Sequence, residues 1–439
     1  MWQGKHRAHS RWQASKSSGM LRTETYGASE RKRNNSSLDS QAILLLAVQG
    51  LFGIANALSG TFIGVYLWKA SGSLVLIGWF NFTQYAVSGI VFWLAGKWVK
   101  EHNGMNSLRL GVALSGVFYC TVLLLGNSAI AYVIPIGVLH GIALGLFWLS
   151  FNVVYFEITG PSNRDRFNGW AGLLGSGAGI FAPWISGKLI AASEGERGYS
   201  IIFTVSVIIF VIAVILSFWL KKRNTGGRYD WLHGLHQLRK DGSPWRLAVP
   251  GIAAQGVREG VFMFFVGLLI YMSTGNEQKI GNYSFVTSLV ALLSFWMIGK
   301  YLTPGRRRTA MLVGTVALGA VIIPLFWPLN YTILLIFGIG TSLFMPLYII
   351  PMTSAVFDLI GRDEESAQRR EEFIVLREIA LTAGRMIGIS AYMLVLPLVK
   401  SSPQAIPWLM LAVGSSPIVG WLFMRRYVSG GSKDAAHVK

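Results

Sequence analysis

The chain has 439 residues, of which 52% are hydrophobic and 13% charged, with a mean hydropathy of +0.48. A soluble protein of this length carries roughly 25% charged residues, so a soluble enzyme or binding module is excluded and the lipid bilayer is the solvent and first partner. The net charge of +19 would point to nucleic acid on a soluble domain; here the basic residues stand between apolar runs, as topology signals, and no nucleic-acid partner is expected.

Residues 1–41 are polar and rich in Ser, Lys and Arg, the composition of a disordered tail. The first apolar run begins only at Ala42, so no cleavable signal peptide is expected at the start, and Met20 is a candidate initiator. Apolar runs follow at 42–68, 73–95, 107–126, 129–156, 167–191 and 199–220. After a polar stretch, 221–247, six more follow at 248–272, 281–299, 309–327, 331–357, 373–397 and 404–424, and 425–439 is a polar tail. Each run has about 19 to 28 residues, which at about 1.5 Å per residue crosses a hydrocarbon core of ~30 Å with some tilt. None alternates with the two-residue period of a membrane β-strand. The expected fold is an all-α polytopic membrane protein of twelve transmembrane helices. The abundance of Gly, at 50 residues, suits close helix packing in lipid. Cys120, the one cysteine, reads as a small residue within an apolar run.

Positive charge is unevenly shared between the connections. The even loops hold Lys97 and Lys100, Arg164 and Arg166, Lys221, Lys222 and Arg223, Arg306, Arg307 and Arg308, and Arg369 and Arg370. The odd loops hold Lys69, Arg197, Lys279 and Lys400. Positive loops stay in the cytoplasm, which predicts a multi-pass cell-membrane protein with both termini cytoplasmic. In the central stretch, Trp231, Leu232, Leu235 and Leu238 have helical spacing after three basic residues, the pattern of an amphipathic helix on the inner surface. His233 and His236 read as solvated loop residues, since no Cys or third His stands near enough to complete a metal site.

The chain also repeats itself. At one constant offset Ile77-Gly78 matches Ile280-Gly281, Phe82 matches Phe285, Phe92-Trp93 matches Phe295-Trp296, Gly96-Lys97 matches Gly299-Lys300, and Gly111 and Gly116 match Gly314 and Gly319. Gln49-Gly50 is echoed by Gln255-Gly256, and Phe156-Glu157-Ile158-Thr159-Gly160 by Phe357-Asp358-Leu359-Ile360-Gly361. The ordered series predicts two six-helix bundles, 42–220 and 248–424, related by a parallel repeat and joined by the linker 221–247.

Six plus six spans, cytoplasmic ends and a long central loop resemble the major facilitator superfamily, over residues 42 to 424. The superfamily carries a signature after the second span, roughly G-x-L-A-D-R-x-G-R-R. Leu94, Ala95, Lys97 and Lys100 fit it, whereas Gly96 stands where the acid belongs and Val99 where the glycine belongs. The second copy, Gly299-Lys300-Tyr301-Leu302, also lacks the acid. Glu157 and Asp358, which end the fourth and tenth spans, are the candidate substitutes, giving a cytoplasmic gate of Lys97 with Glu157 and Lys300 with Asp358. Ala182-Pro183-Trp184-Ile185-Ser186-Gly187 is similar to a weakened antiporter motif of the same superfamily, and equally to a Pro kink beside a small-residue face.

Polar groups within hydrocarbon are costly, so their positions carry information. Arg258 and Glu259 lie near the middle of the seventh span, with Gln255 one turn before. Glu378, Thr382 and Arg385 share a face of the eleventh, and Gln49 and Asn56 a face of the first; Gln84 is in the second and His140 in the fourth. The interiors of the third, sixth, ninth and twelfth spans hold no charge, amide or histidine. The resemblance implies that those four form an outer scaffold while the others line a central cavity, and the polar residues sort accordingly. Arginine could hold an anionic substrate and Glu259 could carry a proton, with a permanent structural ion pair as the alternative; for Asn56 and His140 the alternative is a packing hydrogen bond. The expected function is proton-coupled secondary transport of a small molecule by alternating access, by a monomer without cofactor or metal. The rivals are a membrane-embedded lipid-modifying enzyme and a non-transporting interaction protein. No Gly-x-Ser-x-Gly, His-Glu-x-x-His or P-loop motif is present to support an enzyme or an ATPase.

Overall fold

The computed structural model describes residues 38–159, 163–194, 196–221, 228–361, 366, 368–399 and 404–428. Met20, Lys222, Arg223 and Lys400, and most of both tails, lie outside them. Eleven stretches of the described residues are long and apolar enough to cross a membrane. The longest, Gly104–Tyr155, has 52 residues and holds two helices, so the spans number twelve.

The first bundle comprises Ser40–Ser71, Leu74–Trp98, Gly104–Leu125, Val133–Ile158, Arg164–Ala191 and Arg197–Ser217. The second comprises Trp245–Thr274, Glu277–Tyr301, Arg307–Ala320, Tyr331–Ile360, Arg370–Val399 and a twelfth span broken into Ala405–Gly414 and Ser416–Met424. The fourth span starts later than its apolar run because Gly126–Tyr132 forms a 3-10 turn, entered at Gly126 with φ 52°. The ninth α-helix stops at Ala320, and a 3-10 turn, Ile323–Phe326, continues the crossing around Pro324.

The internal repeat has a physical basis at its turns. Gly72 ends the first span and Gly275 the seventh, at φ 61° and 63°, a left-handed conformation that costs glycine little. Each is followed by an N-cap: Ser73 Oγ accepts from the Leu76 N–H at 3.4 Å, and Asn276 Oδ1 from the Gln278 N–H at 2.8 Å. Within the bundles, a methyl at Gly111 would come within 2.5 Å of the Phe147 backbone nitrogen, and one at Gly314 within 2.9 Å of that of Tyr348. The same glycine thus lets the third span approach the fourth and the ninth approach the tenth.

The bundles meet along two seams, second span on eleventh and fifth on eighth, which the repeat makes equivalent. The linker lies at one face of the molecule, called the linker face below. The second–eleventh seam is closed along its length: Tyr392 donates to the Leu74 carbonyl at 3.1 Å, Gly89 sits under Thr382, and Lys100 reaches Glu372. The fifth–eighth seam is closed only in the half remote from the linker, where Gly281 lies against Pro183 and Ser288 donates to the Gly179 carbonyl at 3.1 Å. Toward the linker face Gly172, Gly175 and Gly299 meet open space.

The linker holds a helix where an amphipathic one is expected, but Trp231 and Leu232 precede it. Its described helix is short, His233–Arg239. Leu232 and Leu235 remain 50% and 44% exposed. His233 is not solvated: it is buried edge-on against Phe373 at the start of the eleventh span, with ring centroids 4.9 Å apart. The reason is that Gly234 lets the linker press onto Leu376, carrying the neighbouring imidazole inward.

Candidate functional site: a polar cavity between the bundles

A cavity of about 570 Å³ is walled by the first, second, fourth, seventh, tenth and eleventh spans. Among the described residues none of the third, sixth, ninth and twelfth spans contributes to its lining, and the fifth and eighth, expected to line it, do not either, because they pack on each other. The first bundle supplies polar and aromatic groups, among them Asn81, Gln84, Tyr85, His140, Trp148 and Asn152. Among the described residues, the Asp, Glu, Lys and Arg side chains of the wall come from the second bundle: Glu259, Arg377, Glu378 and Arg385.

Close packing of the seventh and eleventh spans brings this cluster together. A methyl at Gly256 would strike the carbonyl oxygen of Leu381, and one at Gly384 the carbonyl oxygen of Ala253, so only hydrogen fits at either position. One turn beyond Gly256, Glu259 faces Arg385. Arg385 donates from Nε (3.2 Å) and Nη2 (2.8 Å) to Glu259 Oε2. The other oxygen, Oε1, accepts from Gln255 Nε2 at 2.7 Å. Across the cavity the Arg385 guanidinium lies 5.8 Å from the centre of the Tyr85 ring. Arg377 donates to its neighbour Glu378 at 2.6 Å. In the first bundle, His140 Nδ1 is 3.1 Å from Gln84 Oε1, with its ring stacked on Phe118 at 4.0 Å.

Of the cavity residues expected from sequence, Gln84, His140, Gln255, Glu259, Glu378 and Arg385 line it. The other four do not. Arg258 points away from the cavity: it is 3% exposed, lies over the Phe262 ring and donates to Thr341 Oγ1 of the tenth span at 3.3 Å. Neighbouring residues on a helix are turned about 100° from each other, so Arg258 and Glu259 cannot face one wall. Thr382 packs into the second–eleventh seam against Gly89. Asn56 makes packing hydrogen bonds, to the Phe52 carbonyl and from the Tyr119 hydroxyl. Gln49 lies outside the cavity wall, its Oε1 buried within the first bundle. Sequence reading missed Arg377, Tyr85 and Asn152. Asn152 was detectable, since His140, Leu144, Trp148 and Asn152 follow one another at helical spacing.

The linker face is bridged differently from the expected gate. Asp358 pairs with Arg307 at 2.9 Å, while Lys300 lies over the rings of Trp296 and Tyr301. Lys97 reaches Glu101, one turn on, at 4.0 Å, and Glu157 is half-buried near the end of the fourth span. The bundles are joined instead by Lys100. A π-helical segment, Val99–Asn103, ends the second span, and its wider turn directs Lys100 toward the eleventh. Lys100 Nζ donates to both oxygens of Glu372 at 2.8 Å and lies 3.4 Å from Glu371. Its side chain is 7% exposed and that of Glu372 is 1%. The linker covers the cluster: Asp230 N–H donates to Glu372, Tyr229 N–H to Glu101, and the Tyr229 phenol lies over Gly96. Burial holds that phenol above its ordinary pKa, with Glu372, Asp230 and Glu371 adding to the effect. Gly96, where the superfamily signature has an acid, is what makes room: a methyl there would lie 2.6 Å from the phenol oxygen.

On the opposite face, Lys69 and Glu277 join the ends of the first and eighth spans at 2.9 Å, and Tyr199 donates to the same Glu277 oxygen at 3.0 Å.

A family model described as the Major Facilitator Superfamily matches residues 45–389. The chain is 35% identical over 358 residues to the uncharacterized protein YqgE of Bacillus subtilis (strain 168), covering 82% of this chain and 83% of that one. It is 39% identical over 161 residues to an uncharacterized protein in the sodM 3′ region of Geobacillus stearothermophilus, covering 37% and 75%. Among solved structures it is similar to a bacterial homologue of the iron transporter ferroportin. The outward-facing state with soaked iron gives a TM-score of 0.63 at 15% identity, covering 88% of this chain and 99% of that one. The inward-facing state gives 0.63 at 16%, covering 90% and 100%. A structure described as a bacterial metal transporter gives 0.59 at 15%, covering 90% and 100%.

Proposed function

The chain belongs to the major facilitator superfamily of membrane transporters, and we propose that it moves a small molecule by alternating access coupled to protons. The observation that carries this reading is the Glu259–Arg385 pair, which lies in the cavity wall and bridges two spans of one bundle while facing the other. A charge in hydrocarbon persists when it is paired or faces a wet cavity. This pair does both, so a proton arriving on Glu259 releases Arg385 for substrate without stranding either charge. The alternation is a rocking of the bundles about the midplane, in which Lys69–Glu277 on one face and Lys100–Glu371–Glu372 on the other, both formed in this structure, open in turn. In this reading the linker face is cytoplasmic, as its basic loops require, the membrane is the cell membrane, and the monomer is the working unit.

The three solved structures it resembles are named for iron or metal transport. For this chain that reading has less support, because both cavity glutamates are held by arginine rather than open to a cation.

The test uses proteoliposomes loaded with a pH-sensitive dye and challenged with a panel of solutes. A coupled solute should move protons with wild type. Glu259→Gln should abolish proton-driven transport of that solute and leave its counterflow exchange intact. Proton movement retained in Glu259→Gln would remove Glu259 from the coupling step.

A further inference from the structure

Building on the transport reading above, we propose that the substrate is a small organic monoanion, with a carboxylate head held by Arg385 and Arg377 and a planar body against the aromatic wall of the first bundle. Donors and acceptors in the cavity are unbalanced. Both oxygens of Glu259 already accept hydrogen bonds from the protein, and one oxygen of Glu378 accepts from Arg377. The guanidinium groups are far from saturated. Arg385 uses Nε and one N–H of Nη2, which leaves Nη1 and the second N–H of Nη2 without an acceptor among the described residues. Arg377 uses Nη1 alone. Both side chains line the cavity and keep a fifth to a quarter of their surface exposed. Among its charged groups, the wall therefore offers a ligand mostly cationic N–H donors in planar array, the geometry that binds an oxyanion in bidentate fashion. A cation would have to displace Arg385 from Glu259, and at Glu378 it would meet one uncovered oxygen with Arg377 beside it.

The charge count limits the anion to one negative charge. Glu259, Glu378, Arg377 and Arg385 sum to zero, so a bound anion is compensated when Glu259 takes up one proton. The body of the substrate meets the other wall. Tyr85 lies over the Arg385 guanidinium, and Trp148 and Phe92 line the same space. A cavity of about 570 Å³ falls within the ~300–1,000 Å³ typical of sites for drug-sized ligands.

The experiment measures binding to the detergent-purified full chain by thermal shift and calorimetry. It uses ten pairs of planar aromatic carboxylates and their isosteric carboxamides, including naphthalene-2-carboxylate and naphthalene-2-carboxamide. Manganese(II) chloride and 2-naphthyl phosphate are added as separate arms. At least one carboxylate should stabilise the protein while its carboxamide does not. Between pH 8 and 6, where the probe stays ionised, its affinity should rise as pH falls, because proton and anion binding favour each other reciprocally. Glu259→Gln, which frees Arg385 permanently, should bind the carboxylate more tightly and without pH dependence. The Glu259→Gln/Arg385→Gln double variant keeps a neutral pair in place of the charged one and should bind it on the order of tenfold to a hundredfold more weakly.

No carboxylate preference across the ten pairs would overturn the proposal. So would stabilisation by manganese alone, or tighter binding of the dianionic phosphate than of every carboxylate. Carboxylate preference without pH dependence in wild type would keep the substrate class and overturn the proton-coupling reading, so the two can fail separately.

Discussion

Both carboxylate oxygens of Glu259 are occupied, one by Arg385 and one by Gln255, an arrangement that a mechanistic pair and a purely structural one share. Removing one partner of a buried pair leaves an uncompensated charge, so Glu259→Gln and Arg385→Gln should each lower the unfolding temperature. The double variant should recover most of that loss. If the pair acts in transport, stability returns in the double variant while proton-driven uptake does not; recovery of both would make the pair architectural. The glycines beneath the pair allow a sharper test of packing. Gly384→Ala forces a methyl onto the Ala253 carbonyl and should destabilise the protein by about 1–3 kcal/mol, as overpacking does. Gly172→Ala, where a methyl meets open space, should be neutral or stabilising by up to about 1 kcal/mol from helix propensity. Denaturation in detergent, read by tryptophan fluorescence, compares the two.

The linker is the element whose role departs most from a simple tether. It crosses from Glu101 at the end of the second span to Glu372 and Phe373 at the start of the eleventh, covering the ion cluster that joins the bundles. Lys100→Met should remove the cation shared by Glu371 and Glu372, leaving Glu371 with Arg370 at 3.7 Å, at a cost on the order of a few kcal/mol, and weaken closure at this face. A cysteine placed at Asn152 in the cavity wall, in a Cys120→Ser background, reports on this. Thiol-reagent labelling added from the linker side should quicken in Lys100→Met. It should slow again when Glu371→Gln and Glu372→Gln are added. Unchanged labelling in all three would show that the cluster does not control access. On the opposite face Lys69, Glu277 and Tyr199 occupy the complementary position, and Glu277→Gln should speed labelling from that side only.

At the scale of the whole molecule, the two seams related by the repeat are not in the same condition. The second–eleventh seam is closed from face to face, while the fifth–eighth seam parts toward the linker face. The molecule is therefore asymmetric within a symmetric plan, as expected when one path is shut before the other. Orientation is tested by reporter fusions. Those at Lys69 and Lys400 should read outside, and those at Arg223 and Arg426 inside; an outside reading at Arg426 would remove a span or invert the protein.

The sequence by itself determined the solvent, the span count, the internal repeat and the fold, because each depends on quantities that run along the chain. Hydrophobic length counts crossings, and repeated glycines record where helices must touch. It also separated the four spans whose interiors hold no charge, amide or histidine from the rest. What only the tertiary structure decided was which way each polar side chain turns. In water, an apolar stripe reveals the buried face of a helix; in a bilayer, lipid and protein core are equally apolar, so the rotation of a span leaves little trace in its sequence. Arg258 and Glu259 are adjacent in the chain, yet one is sealed inside the second bundle and the other faces the cavity. Arg385 found its partner on another helix rather than one turn away, and Lys100 joined carboxylates from the far half of the chain because the linker and the π-helical turn brought them together. Those pairings depend on helix rotation and on contacts between distant segments, which packing sets and linear order does not.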